Sequence, residues 1–457
     1  MPSPRRRELF LLFSGDIAIF YIALWATLTA RYWTFPERDI LYNHLVPFTL
    51  LFVAWVTVFF IAGLYEKHTI IFKRSLLSLI TYSMVVNILL AAVFFFLVPF
   101  FGIAPKTNLA IYLVFAIILI PLWRVVVFPR LMPKKRQKAL LIGNGSEVEE
   151  LISEVNNNER YNFEFVRLLD NDDLSQTPHV AARVKEVAEE DAISIIVADA
   201  HSKELSPVLP LIFGQSFLER RWSFLDFSEV YEDIFDRIPL SKLEYGWFLA
   251  HTRRTDRLAY DIAKRAIDII GALCVGVLLV VLYPVIALAI KLEDRGDIFI
   301  AQKRLGKGTS TMTVYKFRTM TQSDTGTWKG ESRDNKVTKV GAFLRKTSLD
   351  ELPQILNIIK GEMSLIGPRN DIIALGERLK DEIPYYEARY VVRPGITGWA
   401  QTHQLYAPGN ISPQSVEESR LRLSYDLYYV KHRSLLLDIM IALRTLATLL
   451  SRFGIRV

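Results

Sequence analysis

Four long apolar segments near the start of the chain constrain its fold more than any other feature. They cover residues 9–30, 45–64, 76–101 and 108–128. Each is long enough to cross a hydrocarbon core of about 30 Å as a helix. The first resembles a signal peptide, but it is too long, lacks a small-residue cleavage site and is followed by three similar segments. The sequence therefore predicts a four-helix transmembrane domain over residues 1–132.

The basic residues between these segments predict an orientation. Clusters of Lys and Arg stand before the first segment at Arg5, Arg6 and Arg7, between the second and third at 67–74, and after the fourth at 130–138. The other two connections are poorer in cations, with Arg38 and Lys106. Because connections rich in Lys and Arg stay in the cytoplasm, the chain beyond residue 130 is expected to begin there.

A fifth apolar block, at 269–290, contains no charged residue. Both of its flanks are basic, so the charge bias favours the same side of the membrane for both ends. Pro284 removes one helix hydrogen bond and favours a kink. We expect a re-entrant helix over about 259–293 that enters the cytoplasmic leaflet, breaks near Tyr283-Pro284 and returns. The alternative is a true fifth span, which would place Asp350 on the opposite side.

The charge balance identifies a class of partner. The chain of 457 residues carries a net charge of +7 and has a pI of about 9.2. It lacks zinc-ligand spacing, an aromatic RNA-binding signature and a basic recognition helix, so we predict no nucleic-acid partner. Basic clusters beside apolar segments fit an anionic lipid bilayer instead. The single cysteine, Cys274, excludes a disulfide within the chain.

Residues 138–250 have the pattern of a soluble, Rossmann-like α/β domain. The strand-like runs are 138–142, 163–169 and 193–198. The first run ends in Gly143-Asn144-Gly145, and Asp170 stands about where a ribose-binding acid would fall. Val148, however, occupies the position of the third glycine of a dinucleotide fingerprint. We predict a structural or regulatory domain, with dinucleotide binding as the alternative.

The densest chemistry surrounds two adjacent carboxylates, Asp350 and Glu351. Arg345 and Lys346 precede them, and Arg369 follows in a Gly-Pro-Arg turn. A carboxylate at a helix start remains ionised and can coordinate magnesium or attack phosphorus. The guanidinium fork of arginine matches phosphate oxygens. These groups together predict a site that handles a phosphate and its divalent metal.

Helix capping is the structural alternative for the same residues. Ser348-x-x-Glu351 has the spacing of a capping box, acids in a first turn suit the helix dipole, and Gly361 would end the helix. Capping accounts for Ser348 and Glu351. It does not account for Asp350 or for the concentration of cations.

Further polar residues in the C-terminal half are candidate phosphate or substrate ligands. Lys264 and Arg265 precede Asp268 by four and three residues, which permits ion pairs within a helix, contact with a lipid phosphate, or simple interfacial snorkelling. The run 315–320 alternates apolar and cationic residues as a strand does, which places Lys316 and Arg318 on one face. Arg393 and Gln401 belong to a further turn with a cation, an aromatic ring and an amide.

These motifs resemble the bacterial sugar transferase family, the polyprenyl-phosphate phosphoglycosyl transferases. The most specific pieces are Lys316-Phe317-Arg318, Thr347-Ser348-Leu349-Asp350-Glu351-Leu352-Pro353-Gln354 and Arg393-Pro394-Gly395-Ile396-Thr397-Gly398. The whole chain resembles the long form of the family, as in undecaprenyl-phosphate galactose or glucose phosphotransferases. The resemblance implies a membrane α-helical bundle of four spans, a Rossmann-like α/β domain, and a monotopic α/β catalytic domain over 255–457 with a re-entrant helix.

The resemblance also implies an activity. A UDP-sugar and undecaprenyl phosphate would give undecaprenyl-diphosphate-sugar and UMP, as the initiating step of exopolysaccharide, capsule or O-antigen synthesis. Asp350 would be the nucleophile that carries the phosphosugar covalently, and Glu351 would hold Mg²⁺. Arg345 and Arg369 would bind phosphate oxygens, with Lys316 and Arg318 nearby. The enzyme would lie in the bacterial inner membrane with its catalytic domain on the cytoplasmic face, and its extra domains leave surface for a homodimer.

The chain departs from the family pattern at two prolines. Asp297 follows the glycine of Asp294-Arg295-Gly296, and Asn370 follows Gly-Pro-Arg, where the family has proline at both places. Neither change removes a chemical group. Two other functions stay open at this point, namely a membrane scaffold that has kept the fold and a nucleotide-linked dehydrogenase based on the middle domain. The sequence does not identify the sugar beyond a UDP-hexose or UDP-N-acetylhexosamine.

Overall fold

The computed structural model of the chain describes most of its residues. These are 4–65, 73–98, 105–131, 136–159, 161, 163–170, 180–219, 221–251, 258–321, 337–404, 406 and 412–452. Lys67, Lys134 and Lys135, which belong to the orientation argument, lie outside them. The chain forms two compact units, Met1–Phe235 and Asp236–Arg456.

The first unit begins with helices at all four predicted apolar segments. They are α1 Pro4–Tyr32, α2 Arg38–Ile61, α3 Lys73–Leu97 and α4 Pro105–Pro121, followed by a π-helical turn Leu122–Val127 and α5 Phe128–Leu131. In the described part of this unit, Leu9–Tyr32, Arg38–Ile61 and Thr107–Leu131 are long and apolar enough to cross a membrane, and α3 contains the shorter apolar run Ser83–Phe95. The unit therefore has the membrane-associated helical region that the sequence predicts.

Aromatic rings pack between these helices, and a buried ion pair joins α1 to the π-helical turn. Trp55 and Tyr112 are fully buried, with ring centroids 5.0 Å apart. Arg124 of the π-helical turn donates from Nε to Asp16 Oδ1 at 3.0 Å. A Cβ atom at Gly15 would lie 1.9 Å from the indole of Trp123, so a glycine is needed where this turn approaches α1. Because a buried ion pair has few alternative partners in an apolar bundle, it fixes how α1 meets the turn.

The rest of the first unit is a parallel α/β arrangement. Its strands are β1 Gln137–Ile142, β2 Phe163–Leu169, β3 Ile195–Ala198 and β4 Ser223–Asp226, in the order β2-β1-β3-β4 and all parallel. Its helices are α6 Ser146–Asn157, α7 Val180–Glu190, α8 Leu209–Phe213 with a π-helical turn Gly214–Leu218, and α9 Phe227–Phe235. Parallel strands need crossover connections, which explains why helices alternate with strands here, as the sequence predicts.

The loop with the incomplete dinucleotide fingerprint has a clear packing role. Val148 is buried in the core formed by β1, α6 and α9. Asp170 Oδ1 accepts a hydrogen bond from Asn144 Nδ2 at 3.1 Å. The residue in place of the third glycine is therefore a core residue, and the candidate ribose acid binds the loop itself.

The second unit begins at Asp236. Its first residues, most of which fall in the predicted middle domain of 138–250, contain a 3₁₀ turn Leu240–Lys242 and helix α10 Tyr245–His251. Trp247 and Phe248 pack against the core around Tyr386 and Leu423. The boundary between the two compact units lies near residue 235, within the range 138–250 that the sequence predicts for the middle domain. The apolar side chains of residues 236–251 place this segment in the second unit. Nothing in the local sequence marks a domain boundary before it.

The fifth apolar block forms one helix, α11 Leu258–Asp294, of 37 residues. The predicted break near Tyr283-Pro284 is wrong, because helical backbone continues through both residues. Proline forfeits a single hydrogen bond, and tertiary packing holds the following turns. Tyr283 stacks on Phe299 with centroids 5.8 Å apart, and Ile286 packs in a core with Phe317.

The remaining elements surround this helix. An antiparallel hairpin consists of β5 Phe299–Leu305 and β6 Thr311–Phe317, and a parallel pair of β7 Ser364–Ile366 and β8 Gly395–Thr397. The helices are α12 Lys339–Thr347, a 3₁₀ turn Leu349–Gln354, α13 Ile355–Lys360, α14 Ile373–Glu382, a 3₁₀ turn Tyr386–Val391, α15 Trp399–His403, α16 Val416–His432 and α17 Leu435–Arg452. One face of α11 packs through Ala272 against β6 and α13. Its opposite face is exposed and apolar, at Val277, Val280, Val281, Val285 and Leu288.

Candidate active site

The two carboxylates lie on a 3₁₀ turn that enters α13, and the predicted capping box does not form. Ser348 ends α12 in the left-handed conformation, with φ 57° and ψ 17°, and makes no side-chain cap bond. The N-cap requires extended backbone at its serine, which this conformation excludes. The side chain of Glu351 therefore binds other residues. The predicted end of the helix at Gly361 is confirmed, because Gly361 adopts φ 87° directly after α13.

Glu351 is held by two cations from different elements. Lys316 of β6 donates from Nζ to Glu351 Oε1 at 2.9 Å, and Arg369 donates from Nη2 to the same oxygen at 2.7 Å. Burial by itself would raise the pKa of Glu351, but Arg369 and Lys316 outweigh it and hold that pKa well below its usual range. Glu351 is therefore ionised at neutral pH, and it ties the hairpin to the Gly-Pro-Arg turn.

Asp350 lies beside this cluster and faces a cavity. Its residue is 8% exposed, and it lines a cavity of about 170 Å³ together with Glu351, Lys316, Arg345 and Arg369. Burial, and after it the charge of Glu351, raises the pKa of Asp350, while Lys316, Arg369 and Arg345 oppose the rise. The position gives a carboxylate whose charge is poorly compensated and which can reach a ligand in the cavity.

Two of the other predicted cations separate in the structure. Arg345 lines the cavity and is oriented by Thr319 Oγ1, to which its Nε donates at 3.1 Å. Arg318 donates to the carbonyl oxygens of Met320 and Thr321, at 3.2 and 3.3 Å. It also lies against Gly296, where a Cβ atom would come within 1.8 Å of its guanidinium. Arg318 is thus not among the cavity residues, although Lys316 is.

Lys264 and Arg265 fasten α11 to the rest of the unit. Lys264 donates to Asp438 Oδ2 at 2.9 Å. Arg265 donates to the carbonyl oxygens of Ile358 and Ile359, at 2.6 and 2.9 Å, which are last-turn carbonyls of α13. Neither residue lines the cavity. Asp268, the ion-pair partner that the spacing allows, accepts instead from Ser364 Oγ at 2.9 Å.

Arg393 and Gln401 shape the turn that supports Arg369 and do not line the cavity. Gln401 Nε2 donates to the carbonyl oxygen of Ile396 at 3.1 Å. A Cβ atom at Gly367 would lie 2.4 Å from the carbonyl oxygen of Arg393. The two turns therefore pack backbone to backbone, which only glycine at that position permits.

A buried network, of which Asp371 and Arg422 also line the cavity, was not predicted from the sequence. Asp371 accepts hydrogen bonds from Tyr386 at 3.0 Å and Tyr390 at 2.8 Å, and it pairs closely with Arg389. Arg389 also pairs with Asp426 at 2.7 Å. Burial by itself would raise the pKa of Asp371, but Arg389 and Arg422 outweigh it and lower that pKa. We call Asp371, Tyr386, Arg389, Tyr390, Arg422 and Asp426 the buttress network.

The buttress network holds the backbone of a residue whose side chain enters the cavity. Arg389 Nη2 and Arg422 Nη2 donate to the carbonyl oxygen of Arg369, at 2.8 and 3.3 Å. The only signal in the sequence is helical spacing, with Arg422 four residues before Asp426. Spacing of that kind also occurs on solvated helix faces, so it does not distinguish a buttress from a surface pair.

The cavity and the apolar helix define a membrane-associated protein with a carboxylate–cation site suited to phosphate chemistry. Comparison with known proteins identifies the family within this class. A family model described as bacterial sugar transferase matches residues 259–452. A relative from Caulobacter vibrioides, named UDP-glucose:undecaprenyl-phosphate glucose-1-phosphate transferase, is 40% identical over 197 residues, which are 43% of this chain and 72% of the relative. The chain belongs to the bacterial sugar transferase family.

Two further relatives show how far the similarity extends. The UDP-N-acetylgalactosamine-undecaprenyl-phosphate N-acetylgalactosaminephosphotransferase of Aeromonas hydrophila is 40% identical over 199 residues, 43% of this chain and 46% of the relative. The exopolysaccharide production protein PSS of Rhizobium leguminosarum bv. phaseoli is 37% identical over 198 residues, 42% of this chain and 96% of the relative. The match to the Aeromonas protein thus spans about half of that relative's length.

Proposed function

We propose that this chain is a polyprenyl-phosphate phosphoglycosyl transferase. It transfers a sugar 1-phosphate from a UDP-sugar to undecaprenyl phosphate and yields undecaprenyl-diphosphate-sugar and UMP. The observation that carries the proposal is the position of Asp350, a poorly compensated carboxylate in a cavity that also contains the Lys316–Glu351–Arg369 cluster. The names of the Caulobacter and Aeromonas relatives support the same reaction.

In the first transfer, a carboxylate oxygen of Asp350 attacks the phosphorus that bears the sugar. The bond from that phosphorus to the oxygen shared with the nucleotide breaks, and its electron pair leaves on UMP. Both reactants are anionic, so cations must offset their repulsion and the developing charge. Arg345 and Arg369 line the cavity for this purpose, and Lys316 holds Glu351 beside the nucleophile.

In the second transfer, a phosphate oxygen of undecaprenyl phosphate attacks the same phosphorus. The bond to Asp350 breaks, and the carboxylate is regenerated. Burial and the charge of Glu351 raise the pKa of Asp350, so its carboxylate is less well stabilised here than it would be in water. A weakly stabilised carboxylate is the better nucleophile, and its oxygen gives up its negative charge when it bonds to phosphorus, while the phosphate keeps one ionised oxygen.

The donor groups fit a magnesium ion. Mg²⁺ is commonly held by one or two carboxylates together with substrate phosphate oxygens, and Glu351, with Asp350 beside it, offers such carboxylates in the same cavity. The low pKa of Glu351, maintained against burial by Arg369 and Lys316, keeps it ionised for this role. A bound Mg²⁺ would neutralise charge on the diphosphate.

We place the cavity at the cytoplasmic face of the bacterial inner membrane. A helix of 37 residues is about 55 Å long, yet both of its ends contact the same unit. Lys264 binds Asp438 near one end, and the carboxylate of Glu293 accepts from the amides of Lys339 and Val340, at 2.6 and 2.9 Å, near the other. The same unit also packs along α11 between these ends, through Ala272 and Ile286. A full crossing would carry polar parts of that unit into lipid, so we infer that the exposed apolar face of α11 lies within one leaflet.

The product belongs at the start of surface polysaccharide synthesis, whether of exopolysaccharide, capsule or O-antigen. A lipid-linked diphosphosugar is the acceptor on which further sugars can be added, and the Rhizobium relative is named for exopolysaccharide production. The Caulobacter and Aeromonas relatives are named for different sugars. The donor is therefore a UDP-hexose or a UDP-N-acetylhexosamine.

The test combines product analysis with trapping. Full-length protein in lipid nanodiscs is given undecaprenyl phosphate and a panel of UDP-sugars, and UMP release is measured. In the absence of lipid phosphate, mass spectrometry of the intact protein should show a phosphosugar adduct that maps to Asp350. Asp350→Asn should abolish both signals, whereas Asp381→Asn, a change at an exposed acid, should leave both intact. Undiminished UMP release by Asp350→Asn would show the mechanism to be wrong.

A further inference from the structure

Arg422 of α16 is a buried guanidinium whose hydrogen-bonding capacity is largely unused. The residue is 5% exposed and lines the cavity that contains Asp350. Among the described residues, its one hydrogen bond is the long contact from Nη2 to the carbonyl oxygen of Arg369, at 3.3 Å. In the same part of the chain its buried Nε has no hydrogen-bond partner. Because a guanidinium carries several N–H donors and no acceptor, most donors of Arg422 remain for a ligand.

Arg389 takes the close positions in the buttress network. It pairs closely with Asp371, lies 2.7 Å from Asp426, and donates to the carbonyl oxygen of Arg369 at 2.8 Å. The ion-pair distances from Arg422 to the same two acids are both 3.9 Å, which is beyond hydrogen-bond distance. Arg422 is therefore held near the acids by charge, without spending its donors on them. A buried charged donor that stays unpaired costs free energy, and a ligand in the cavity would recover it.

The first turns of α16 set the position of Arg422 at the cavity. Ser415 caps the helix, and its side-chain oxygen accepts from the amide of Glu418 at 3.1 Å. Ser419 lines the same cavity, and its Oγ donates to the carbonyl oxygen of Ser415 at 2.8 Å. Residues three apart lie on one face of a helix, so Ser419 and Arg422 belong to a single face of α16. That face forms one wall of the cavity.

The charges around the cavity favour an anionic ligand. Among the described residues that line it, five are Lys or Arg and three are Asp or Glu. A cleft with an excess of one charge attracts ligands of the opposite charge. The fork of an arginine binds the oxygens of a phosphate in pairs. Both substrates of the proposed reaction carry phosphate, so phosphate is the group that fits the unused donors.

We propose that Arg422 binds a phosphate group of a substrate through the donors that the buttress network leaves unused. The proposal rests on the proposed function, whose substrates, a UDP-sugar and undecaprenyl phosphate, are the two sources of that phosphate. Arg422 is then a substrate-binding residue as well as a member of the buttress network. Arg389, which does not line the cavity, has only the second role.

The test measures binding without turnover. In one arm, full-length protein in nanodiscs is titrated by calorimetry with UDP and with uridine, which lacks phosphate. In the other, native mass spectrometry follows binding of undecaprenyl phosphate and of undecaprenol to the same chain in detergent. In each arm, the phosphate preference is the Kd of the phosphate-free compound divided by the Kd of the phosphate compound.

In Arg422→Gln, the phosphate preference should fall about 10- to 100-fold in at least one arm, as expected for loss of a hydrogen bond from a charged group. The arm that changes identifies the source of the phosphate. Arg422→Lys keeps the charge without the fork and should recover part of the preference. Arg420→Gln, which removes an exposed guanidinium from the same helix, is the matched control and should change neither arm.

The ratio protects the test against a folding defect. A variant whose cavity is merely distorted loses affinity for both compounds of an arm alike. An unchanged ratio in both arms would therefore overturn the inference, and so would a wild-type protein without phosphate preference in either arm. The adduct at Asp350 is measured separately. If it forms while Arg422→Gln leaves both ratios unchanged, the inference fails and the proposed function stands.

Discussion

The second unit contains two carboxylate–cation clusters that use the same residue types for opposite purposes. In the cavity, Asp350 lies beside an already paired Glu351, and burial with Glu351 raises its pKa. In the buttress network, Asp371 receives two tyrosine hydroxyls and a guanidinium, and Arg389 and Arg422 overcome burial to lower its pKa. Arg389 and Arg422 compensate the charge of Asp371, which is a structural group, whereas the incompletely compensated Asp350 faces a ligand cavity, and both properties together make it reactive.

Arg369 connects the two clusters. Its side chain donates to Glu351 at 2.7 Å, while its carbonyl oxygen accepts from Arg389 at 2.8 Å. Arg389 therefore holds the backbone of the residue whose guanidinium contributes charge to the cavity. The comparison predicts that changes in the cavity affect turnover and that changes in the buttress network affect stability.

Asp350→Asn should give the largest effect. We expect UMP release to fall by about 10⁴-fold or more, as for loss of a nucleophile. Stability should be unchanged or higher, because a carboxyl group whose folded pKa is raised subtracts stability at every pH above its unfolded pKa, and asparagine removes that penalty. Initial rates and a thermal melt of the same preparation check both parts. A melting temperature several degrees below wild type would contradict the contrast.

Asp371→Asn should show the reverse pattern. Removing one partner of a buried pair leaves Arg389 with uncompensated charge, and we expect a loss of about 3–5 kcal/mol in unfolding free energy. Denaturant unfolding, followed by a probe in the second unit, measures the loss. Asp381→Asn, at an exposed acid on α14, is the matched control and should stay within about 0.5 kcal/mol of wild type. A variant as stable as this control would remove the buttress role.

Arg369→Lys tests the connection between the clusters. The lysine keeps the charge and the carbonyl oxygen that Arg389 and Arg422 bind, but it loses the planar fork. We expect kcat/KM to fall about 10- to 100-fold with little change in melting temperature. Steady-state kinetics with the UDP-sugar varied, at saturating lipid phosphate, provide the measurement. A large fall in melting temperature with unchanged kcat/KM would reverse the assigned roles.

The fold was predictable where the pattern depends on local chemistry. Apolar segments of membrane length became helices, and the strand runs of the middle domain became a parallel sheet. Local rules failed where distant contacts decide. Pro284 does not break α11, because residues from β5 and β6 pack beside it. Ser348 does not cap a helix, because its backbone is left-handed. The Ser-x-x-Glu spacing alone does not indicate that conformation.

Only part of the candidate site was predictable from the sequence, because distant contacts decide the rest. The adjacent acids and the cations Lys316, Arg345 and Arg369 do meet in one cavity. Lys264 does not join them, since its partner Asp438 lies 174 residues away and nothing near Lys264 in the sequence indicates it. Sequence identifies charged groups, but their roles depend on which opposite charge each one meets after folding.

Tyr390→Phe should give the smallest effect and the finest test of the comparison. It removes one of the hydroxyl donors to Asp371 and leaves Tyr386 and Arg389 in place, so we expect a loss of about 1 kcal/mol in unfolding free energy and near-normal turnover. Combined with Asp371→Asn, the losses should be less than additive, because both changes remove the same hydrogen bond. Additive losses would mean that the tyrosine acts through packing alone, and the buttress network would then have one member fewer.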